Sequence, residues 1–199
     1  MKILLSPAKS LNFKSNLPTE IYSKPCFLKE ANFLNSILKS KKPAEISDLM
    51  HISSSLGYLN YERFQQWLPS PKKENARQAI YAFSGDVYKG IDSYTIKNDK
   101  IDFMQNSIRI LSGHYGLLRP LDLIQPHRLE MGTKMSFRDY KNLYDYWKKH
   151  VSLELNQELS KDEVVLNLAS NEYFKAIDTK VIDSPIYSAN FKQYRDGDF

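Results

Sequence analysis

The stretch LSGHYGLLRPLDLIQPHRLEMG, from Leu111 to Gly132, organises this chain. Its glycines permit close backbone approach or positive φ, and its prolines fix the path of the backbone. Charged side chains of both signs, Arg119, Asp122, Arg128 and Glu130, stand between apolar residues. This pattern predicts a rigid surface that binds an anion. The alternative is a well-packed crossover whose arginines pair with neighbouring acids.

The composition is that of a soluble globular chain with one domain. The sequence has 199 residues, of which 42% are hydrophobic and 26% charged, and its net charge is +5. Such a positive balance mildly favours polyanionic partners. Cys26, the single cysteine, excludes an intramolecular disulfide and a cysteine-based zinc site, which fits a reducing compartment. No signal peptide or membrane-spanning run is present. We expect a cytoplasmic monomer without membrane contact, cofactor or bound metal.

Two apolar runs predict strands that end in polar residues. The run Ile3 to Leu5 leads into the sequence SPAK, which contains Ser6 and Lys9. Ligands of open α/β sheets bind at the carboxyl ends of strands, so these two side chains could hold a phosphate or carboxylate. A Ser-Pro turn with a solvated lysine is the alternative. The run Val164 to Leu168 is followed by Ser170 and Glu172, which reach the same cleft if the two strands are neighbours.

The stretch FSGDVYKG, from Phe83 to Gly90, is the second informative motif. If it is extended, Asp86 and Tyr88 share one face, where an acid and a phenol could transfer a proton or bind a sugar hydroxyl. The alternative is the end of a helix with a turn aspartate.

Apolar residues at spacings of three and four predict helices in most of the remaining chain. The predicted helices are 28–38, a short helix from Pro43, 53–67, 74–83, 99–112 and 136–159. The tail includes two candidate strands, 185–187 and 190–194, and a possible hairpin turn in the final RDGDF. The lysines at 39, 41 and 42 suit a helix C-terminus, with phosphate binding as the alternative. We expect one compact α+β domain over residues 1–199, with a central mixed sheet surrounded by helices.

Three separated motifs carry a resemblance to a known family. The motifs LLSPAKSL, FSGDVYKG with the organising stretch after it, and LNLASNEYF resemble the YaaA peroxide-stress family in order and spacing, over essentially the whole chain. The resemblance implies a cytoplasmic protein that protects cells from hydrogen peroxide by limiting free iron. It also implies sequence-independent binding of double-stranded DNA through a helix-hairpin-helix-like element.

The chain departs from the family pattern at two places. His127 stands where family members usually have tyrosine, which keeps an aromatic ring but adds a titratable nitrogen. Family members also continue past the end of this chain with a strand and a basic helical segment, so we expect the C-terminal segment of the family to be missing here.

The expected DNA-binding element is the predicted helix from Ile101 to Ser112 followed by a glycine-containing hairpin. Hairpin amides of this kind bind a backbone phosphate without reading sequence. The residues that we expect to contact DNA or another anion are Ser6, Lys9, Gly113, His114, Tyr115, Gly116, Arg119 and Arg128.

Two other functions compete with DNA binding. The chain could be an enzyme that acts on a nucleotide or another phosphorylated small molecule, with Lys9, Arg119 and Arg128 on the anion. The acid or base would then be one of Asp86, Glu130 and Glu172. No Walker loop or nucleophile elbow names a reaction. Direct iron binding is the other possibility, through four residues of suitable type: His114, Asp122, His127 and Glu130.

Overall fold

The fold is built on a mixed five-stranded sheet whose central strand is the apolar run near the N-terminus. The computed structural model describes residues 1–189. The strands of this part are β1 Lys2–Leu5, β2 Ser10–Leu11, β3 Arg77–Gln78, β4 Phe83–Ser84, β5 Ile108–Ser112, β6 Gly116–Leu118, β7 Leu123–Ile124, β8 Val165–Asn167 and β9 Ile186–Ser188. The main sheet has the order β6-β5-β1-β8-β9, while β2-β4 and β3-β7 form two small antiparallel pairs.

Within the main sheet only β6 is antiparallel to its neighbour. Strands β1 and β8 are paired in register, with Ile3 opposite Leu166. The two apolar runs predicted from the sequence are therefore adjacent parallel strands, and the expected mixed sheet is confirmed. Because parallel strands end at the same edge of a sheet, the residues after Leu5 and after Asn167 come together there.

Eight α-helices surround the sheet in the described part of the chain. They are α1 Leu28–Lys39, α2 Pro43–Met50, α3 Ser54–Gln66, α4 Ala79–Ala82, α5 Asp86–Ile91, α6 Ile101–Ser107, α7 Leu143–Gln157 and α8 Asn171–Phe174. Pro43 opens α2 at its first position, and the Ser53 hydroxyl accepts a bond from the Leu56 amide at the start of α3.

Both faces of the main sheet are covered by apolar side chains. Leu4 packs in one hydrophobic cluster and Leu5 in the other, because successive residues of a strand point to opposite faces. Trp147 of α7 anchors the first cluster, and Ile101 of α6 belongs to the second. Burial on both faces explains why the strands of this sheet read as continuous apolar runs.

Three helix predictions are wrong in extent. The helix predicted over 136–159 begins only at Leu143, since Arg138 has a positive φ of 48° and residues 137–140 form a loop. The helix predicted over 74–83 is limited to the short α4. The helix predicted over 99–112 ends at Ser107, and the chain continues as β5. The predicted strand 185–187 is confirmed as β9, whereas the predicted strand 190–194 and the terminal turn lie outside the described residues.

Candidate functional site

The carboxyl ends of β1 and β8 meet through their serines. The Ser170 amide donates to Ser6 Oγ over 2.9 Å, and the Ser6 hydroxyl donates to Ser170 Oγ over 3.3 Å. The phenol of Tyr88 donates to the Ser6 carbonyl over 2.9 Å. These bonds fix the two strand ends against each other and against α5. The expectation that the two polar strand ends lie together is therefore confirmed.

Two cations converge on one carboxylate beside these strand ends. Lys9 Nζ lies 3.0 Å from Glu130 Oε2, and Arg128 Nη2 lies 2.6 Å from Glu130 Oε1. Burial alone would raise the pKa of Glu130, but the hydrogen bonds from Lys9 and Arg128 outweigh it and lower that pKa below its ordinary value. The Lys9 side chain is 67% exposed and that of Arg128 is 16% exposed. The Lys9 ammonium is therefore open to solvent, whereas the Arg128 guanidinium is mostly buried.

Glu172 lies on the other side of the same backbone segment. The Gly132 amide donates to Glu172 Oε1 over 2.9 Å. Burial, followed by the negative charges of Glu172 and Glu130, raises the pKa of the Tyr173 phenol. Tyr173 therefore stays neutral between the two carboxylates. The predicted residues Ser6, Lys9, Arg128, Glu130 and Glu172 thus belong to one neighbourhood, which we call the strand-end cleft.

The strand-end cleft has a small part and a larger, more open part. Behind Lys9, a cavity of about 20 Å³ is lined by His127, Arg128, Glu130 and Tyr173. That is room for roughly one water molecule or one ligand oxygen. In front of Lys9, an open depression of about 280 Å³ extends to Asp86. Lys9 lines both parts, as do Pro7 and Ala8 before it.

Asp86 contributes only at the outer rim of this depression. The stretch FSGDVYKG is not extended, because residues from Asp86 onward form α5. The Asp86 side chain is 99% exposed and pairs with Lys89 over 3.2 Å, while Tyr88 is buried. The shared face expected for Asp86 and Tyr88 is therefore wrong, since residues two apart diverge on a helix.

His127 belongs to the cleft, although the sequence suggested it only as an iron ligand. Its Nδ1 lies 2.8 Å from the Gln125 carbonyl oxygen, which requires that Nδ1 carry the proton of the neutral ring. Burial, opposed by the hydrogen bond to the Gln125 carbonyl and aided by the nearby charge of Arg63, lowers the pKa of His127 to about 4. The ring is therefore neutral near pH 7 and carries a free lone pair on Nε2. Its place in the HRLE sequence beside Arg128 and Glu130 is the signal that could have identified it.

The expected helix-hairpin-helix at residues 101–116 is a β-hairpin. Ile110 pairs with Leu118 and Ser112 with Gly116. The turn amides of His114 and Tyr115 point to Ser112 Oγ, at 3.3 Å and 3.1 Å, and both side chains are fully buried. These amides are used inside the protein and cannot present themselves to a phosphate.

The turn itself is sealed by packing. Trp147 Nε1 donates to the Gly113 carbonyl over 2.9 Å, and Gly116 adopts a φ of 71° where a Cβ would lie 2.6 Å from the Trp147 ring. The four turn residues therefore have a structural role in the core: Gly113, His114, Tyr115 and Gly116. The glycines that suggested anion binding are needed for close approach to an indole and to the neighbouring backbone.

Arg119 lies apart from the strand-end cleft. Strand β6 runs antiparallel to β5, so the residue after Leu118 points toward the opposite edge of the sheet. There Arg119 Nη2 lies 3.2 Å from Asp122 Oδ1, and the fully buried Asp122 also accepts a bond of 2.6 Å from Ser23. The expectation that Arg119 and Arg128 hold the same anion is wrong, because the two residues lie at opposite edges of the sheet.

The four candidate iron ligands do not converge. The rings of His114 and His127 are adjacent, with centroids 5.1 Å apart, but Asp122 is bonded to Arg119 and Glu130 to Lys9 and Arg128. Among residues 1–189, no group of three or more histidine, cysteine, aspartate or glutamate side chains is placed to hold a metal ion.

No helix within residues 1–189 has the length and apolar character needed to cross a membrane.

Comparison with known proteins gives a consistent result. A family model described as "Peroxide stress protein YaaA" matches residues 1–199. A UPF0246 protein of Flavobacterium johnsoniae is 54% identical over 99% of this chain and 78% of its own length. UPF0246 proteins of Flavobacterium psychrophilum and Shewanella sp. strain W3-18-1 are 50% and 46% identical, over 98% and 100% of this chain, and in each case over 78% of the relative.

Proposed function

The chain belongs to the YaaA family of peroxide stress proteins, and from this premise we propose that it acts in the cytoplasmic response to peroxide by binding phosphate groups in the strand-end cleft. The observation that carries the proposal is the convergence of Lys9 and Arg128 on Glu130 at the carboxyl ends of parallel strands. Ligands of open α/β sheets are bound at this edge.

The charges of the cleft favour the binding of an anion that takes the place of Glu130 beside one of the two cations. Lys9, Arg128 and Glu130 together carry one net positive charge. The Lys9 pair is largely exposed, and exposed pairs of this kind contribute only about 0–1 kcal/mol to stability. Lys9 can therefore leave Glu130 for a phosphate at little cost, while the more buried Arg128 stays in place.

We propose double-stranded DNA as a partner that is bound without sequence preference. The net charge of +5 supports this partner, as does the family resemblance. In this proposal the side chains of the cleft contact the DNA phosphates, because the hairpin amides already donate hydrogen bonds to Ser112. Phosphate contacts of this kind position a protein on a duplex but carry no sequence information.

The dependence of DNA affinity on salt tests this partner. Each phosphate contact contributes about 0.9 to the slope of log affinity against log salt concentration. We expect Lys9→Gln and Arg128→Gln each to reduce the slope by about that amount. Lys149→Gln is the matched control for Lys9→Gln, because Lys149 is exposed on α7 and its loss changes the net charge equally. Absence of binding to a duplex at low salt would exclude DNA as the partner.

We also propose that the protein limits free iron during peroxide stress, as the family resemblance implies. The test uses a bacterium that lacks its own family member and carries this chain on a plasmid. Free iron is measured in whole cells by electron paramagnetic resonance after exposure to hydrogen peroxide. We expect lower iron and higher survival with the wild-type chain than with Arg128→Gln. Equal iron in cells with and without the chain would contradict this role.

A second candidate function is an enzyme that acts on a nucleotide or another phosphorylated small molecule. The observation that favours it is a neutral His127 in the same small cavity as Arg128 and Glu130, since a buried base beside anion-binding groups is a common feature of active sites. Incubation with a panel of nucleotides, followed by phosphorus NMR, tests it. Turnover that is lost in His127→Gln but retained in Lys149→Gln would support an enzyme; no product from any nucleotide would reject it.

A further inference from the structure

A second and larger cavity lies on the other side of the segment that carries Arg128. Its volume is about 430 Å³, within the range of about 300–1,000 Å³ that small-molecule sites occupy. Residues that line it and bear on its chemistry are Phe13, Leu17, Arg63, Asn75, Arg77 and Gln125. Gln125 and Pro126 line this cavity and His127 lines the strand-end cleft, so the two sites are separated by the backbone of consecutive residues.

Arg77 is a buried cation in the wall of this cavity. The residue is 6% exposed, and Arg77 Nη2 donates to the Ser15 carbonyl and to the Tyr94 hydroxyl, the latter over 2.9 Å. Its Nε has no acceptor in the described part of the chain. None of the ion pairs found in residues 1–189 includes Arg77. A buried charge without a counter-charge lowers the stability of the folded protein. An anion bound from solution would supply the missing counter-charge.

Arg63 extends the same positive surface from α3. Its Nη1 donates to Asn60 Oδ1 over 3.2 Å, and no carboxylate within residues 1–189 pairs with it. Burial first, and then the charge of Arg128, lower the pKa of Arg63, which shows that this guanidinium lies in a positive and partly desolvated environment. A bound anion would relieve both effects.

Two of the three amide side chains that line the cavity, those of Gln125 and Asn75, are already occupied, and the third, Gln66, is exposed. Gln125 Oε1 accepts from the Leu68 amide over 2.9 Å and from Asn75 Nδ2 over 3.1 Å. Gln125 Nε2 donates to the Leu68 carbonyl over 2.7 Å, and Asn75 Oδ1 accepts from the Lys72 amide over 2.7 Å. The amides of Gln125 and Asn75 are fixed parts of the wall, and the charged donors of the cavity are the two guanidiniums and the more exposed Lys73.

The remaining charges around the cavity are at its rim. Lys73 pairs with Glu20, and Glu74 is exposed. Apolar walls are supplied by Phe13, Leu17 and the half-buried Pro126. The combination of two inward cations with apolar walls suits a molecule that has an anionic group and an organic body.

We propose that this cavity binds a small organic phosphate or carboxylate, with its anionic group held between Arg77 and Arg63. The site is distinct from the strand-end cleft, and it does not depend on the function proposed for that cleft. The Arg77 guanidinium is held by its bonds to Ser15 and Tyr94, and that of Arg63 by its bond to Asn60, so the donors are oriented before the ligand binds.

Calorimetric titration of the whole chain tests the site with defined probes. AMP represents phosphates and benzoate represents carboxylates; adenosine and benzamide are their uncharged counterparts. We expect saturable binding of AMP or benzoate at millimolar concentration, with no binding of the uncharged pair. Arg63→Gln should weaken that binding by about tenfold or more, as loss of a charged hydrogen bond does.

Two further variants make the result decisive. Arg77→Lys keeps the buried charge but loses the planar donors, so it should fold and bind more weakly. Lys149→Gln lies outside both sites and should bind the probe as the wild type does. Lys9→Gln alters only the strand-end cleft, so the binding that Arg63→Gln weakens should persist in it. Binding that is lost in Lys9→Gln and kept in Arg63→Gln would place the ligand in the cleft and overturn the proposal. Failure of both AMP and benzoate to bind would also overturn it, whereas the cleft is tested separately by the salt dependence of duplex binding in Lys9→Gln.

Discussion

Replacement of Gly113 by alanine should strongly destabilise the protein. A Cβ on Gly113 would lie 2.4 Å from the Leu129 carbonyl oxygen and 2.9 Å from the Glu130 carbonyl carbon. Both are backbone atoms, so no flexible side chain can move aside. Added methyl groups in a packed interior cost about 1–3 kcal/mol, and this contact is at the severe end. At about 2–4 °C per kcal/mol for a chain of this size, Tm should fall by roughly 6–12 °C.

Gly90 supplies the control for this exchange. A Cβ there meets no atom within 4 Å, and the residue lies in α5, where alanine is favoured over glycine by up to about 1 kcal/mol. Thermal unfolding followed by circular dichroism should therefore show Gly90→Ala at or slightly above the wild-type Tm and Gly113→Ala well below it. Equal melting of the two variants would refute the close contact of the hairpin with the segment Leu129–Met131.

Three further predictions concern buried polar groups. The pKa of His127 is lowered to about 4 from an unfolded value near 6.5, so the unfolded chain binds the extra proton and stability falls as pH drops through this window. The pKa of the buried His114 is lowered too, so both rings contribute, and urea unfolding from pH 7 to pH 5 should show a loss about 2 kcal/mol smaller in His127→Phe than in the wild type. Asp122→Ala should cost about 2–4 kcal/mol in the same assay, because the buried carboxylate binds Arg119 and Ser23. Trp147→Phe should cost about 1–3 kcal/mol, since a buried carbonyl is left without its donor.

The strands at both ends of the chain could be predicted because their signals are local. Ile3 to Leu5 and Val164 to Leu168 are short apolar runs that stop at polar residues, and burial on both faces of a parallel sheet requires such runs. The position of Ser6 beside Ser170 follows once the two strands are taken as neighbours. The convergence of Lys9 with Glu130 required the path of a distant segment and could not be derived from either strand.

The sequence predicts a helix up to residue 112, where the structure has the first strand of a hairpin, because the apolar residues fit both a helix and a buried strand. Ile101, Met104, Ile108 and Leu111 recur at spacings of three and four, as a helix requires. In the structure the helical part ends at Ser107, and β5 follows as a strand between β6 and β1. An inner strand is apolar on both faces and therefore satisfies a helical pattern equally well. Only the pairing with β1, a hundred residues away in sequence, decides between them.

The organising stretch positions the two candidate sites by packing rather than by presenting its own amides. Gly113 fits against the backbone of Leu129–Met131, and this segment carries Glu130 of the strand-end cleft. A few residues earlier, Gln125 closes the wall of the cavity that contains Arg77. A shift of this backbone would therefore disturb the geometry of both sites at once. For that reason Gly113→Ala should weaken anion binding at each, whereas Lys9→Gln and Arg63→Gln should each affect only one.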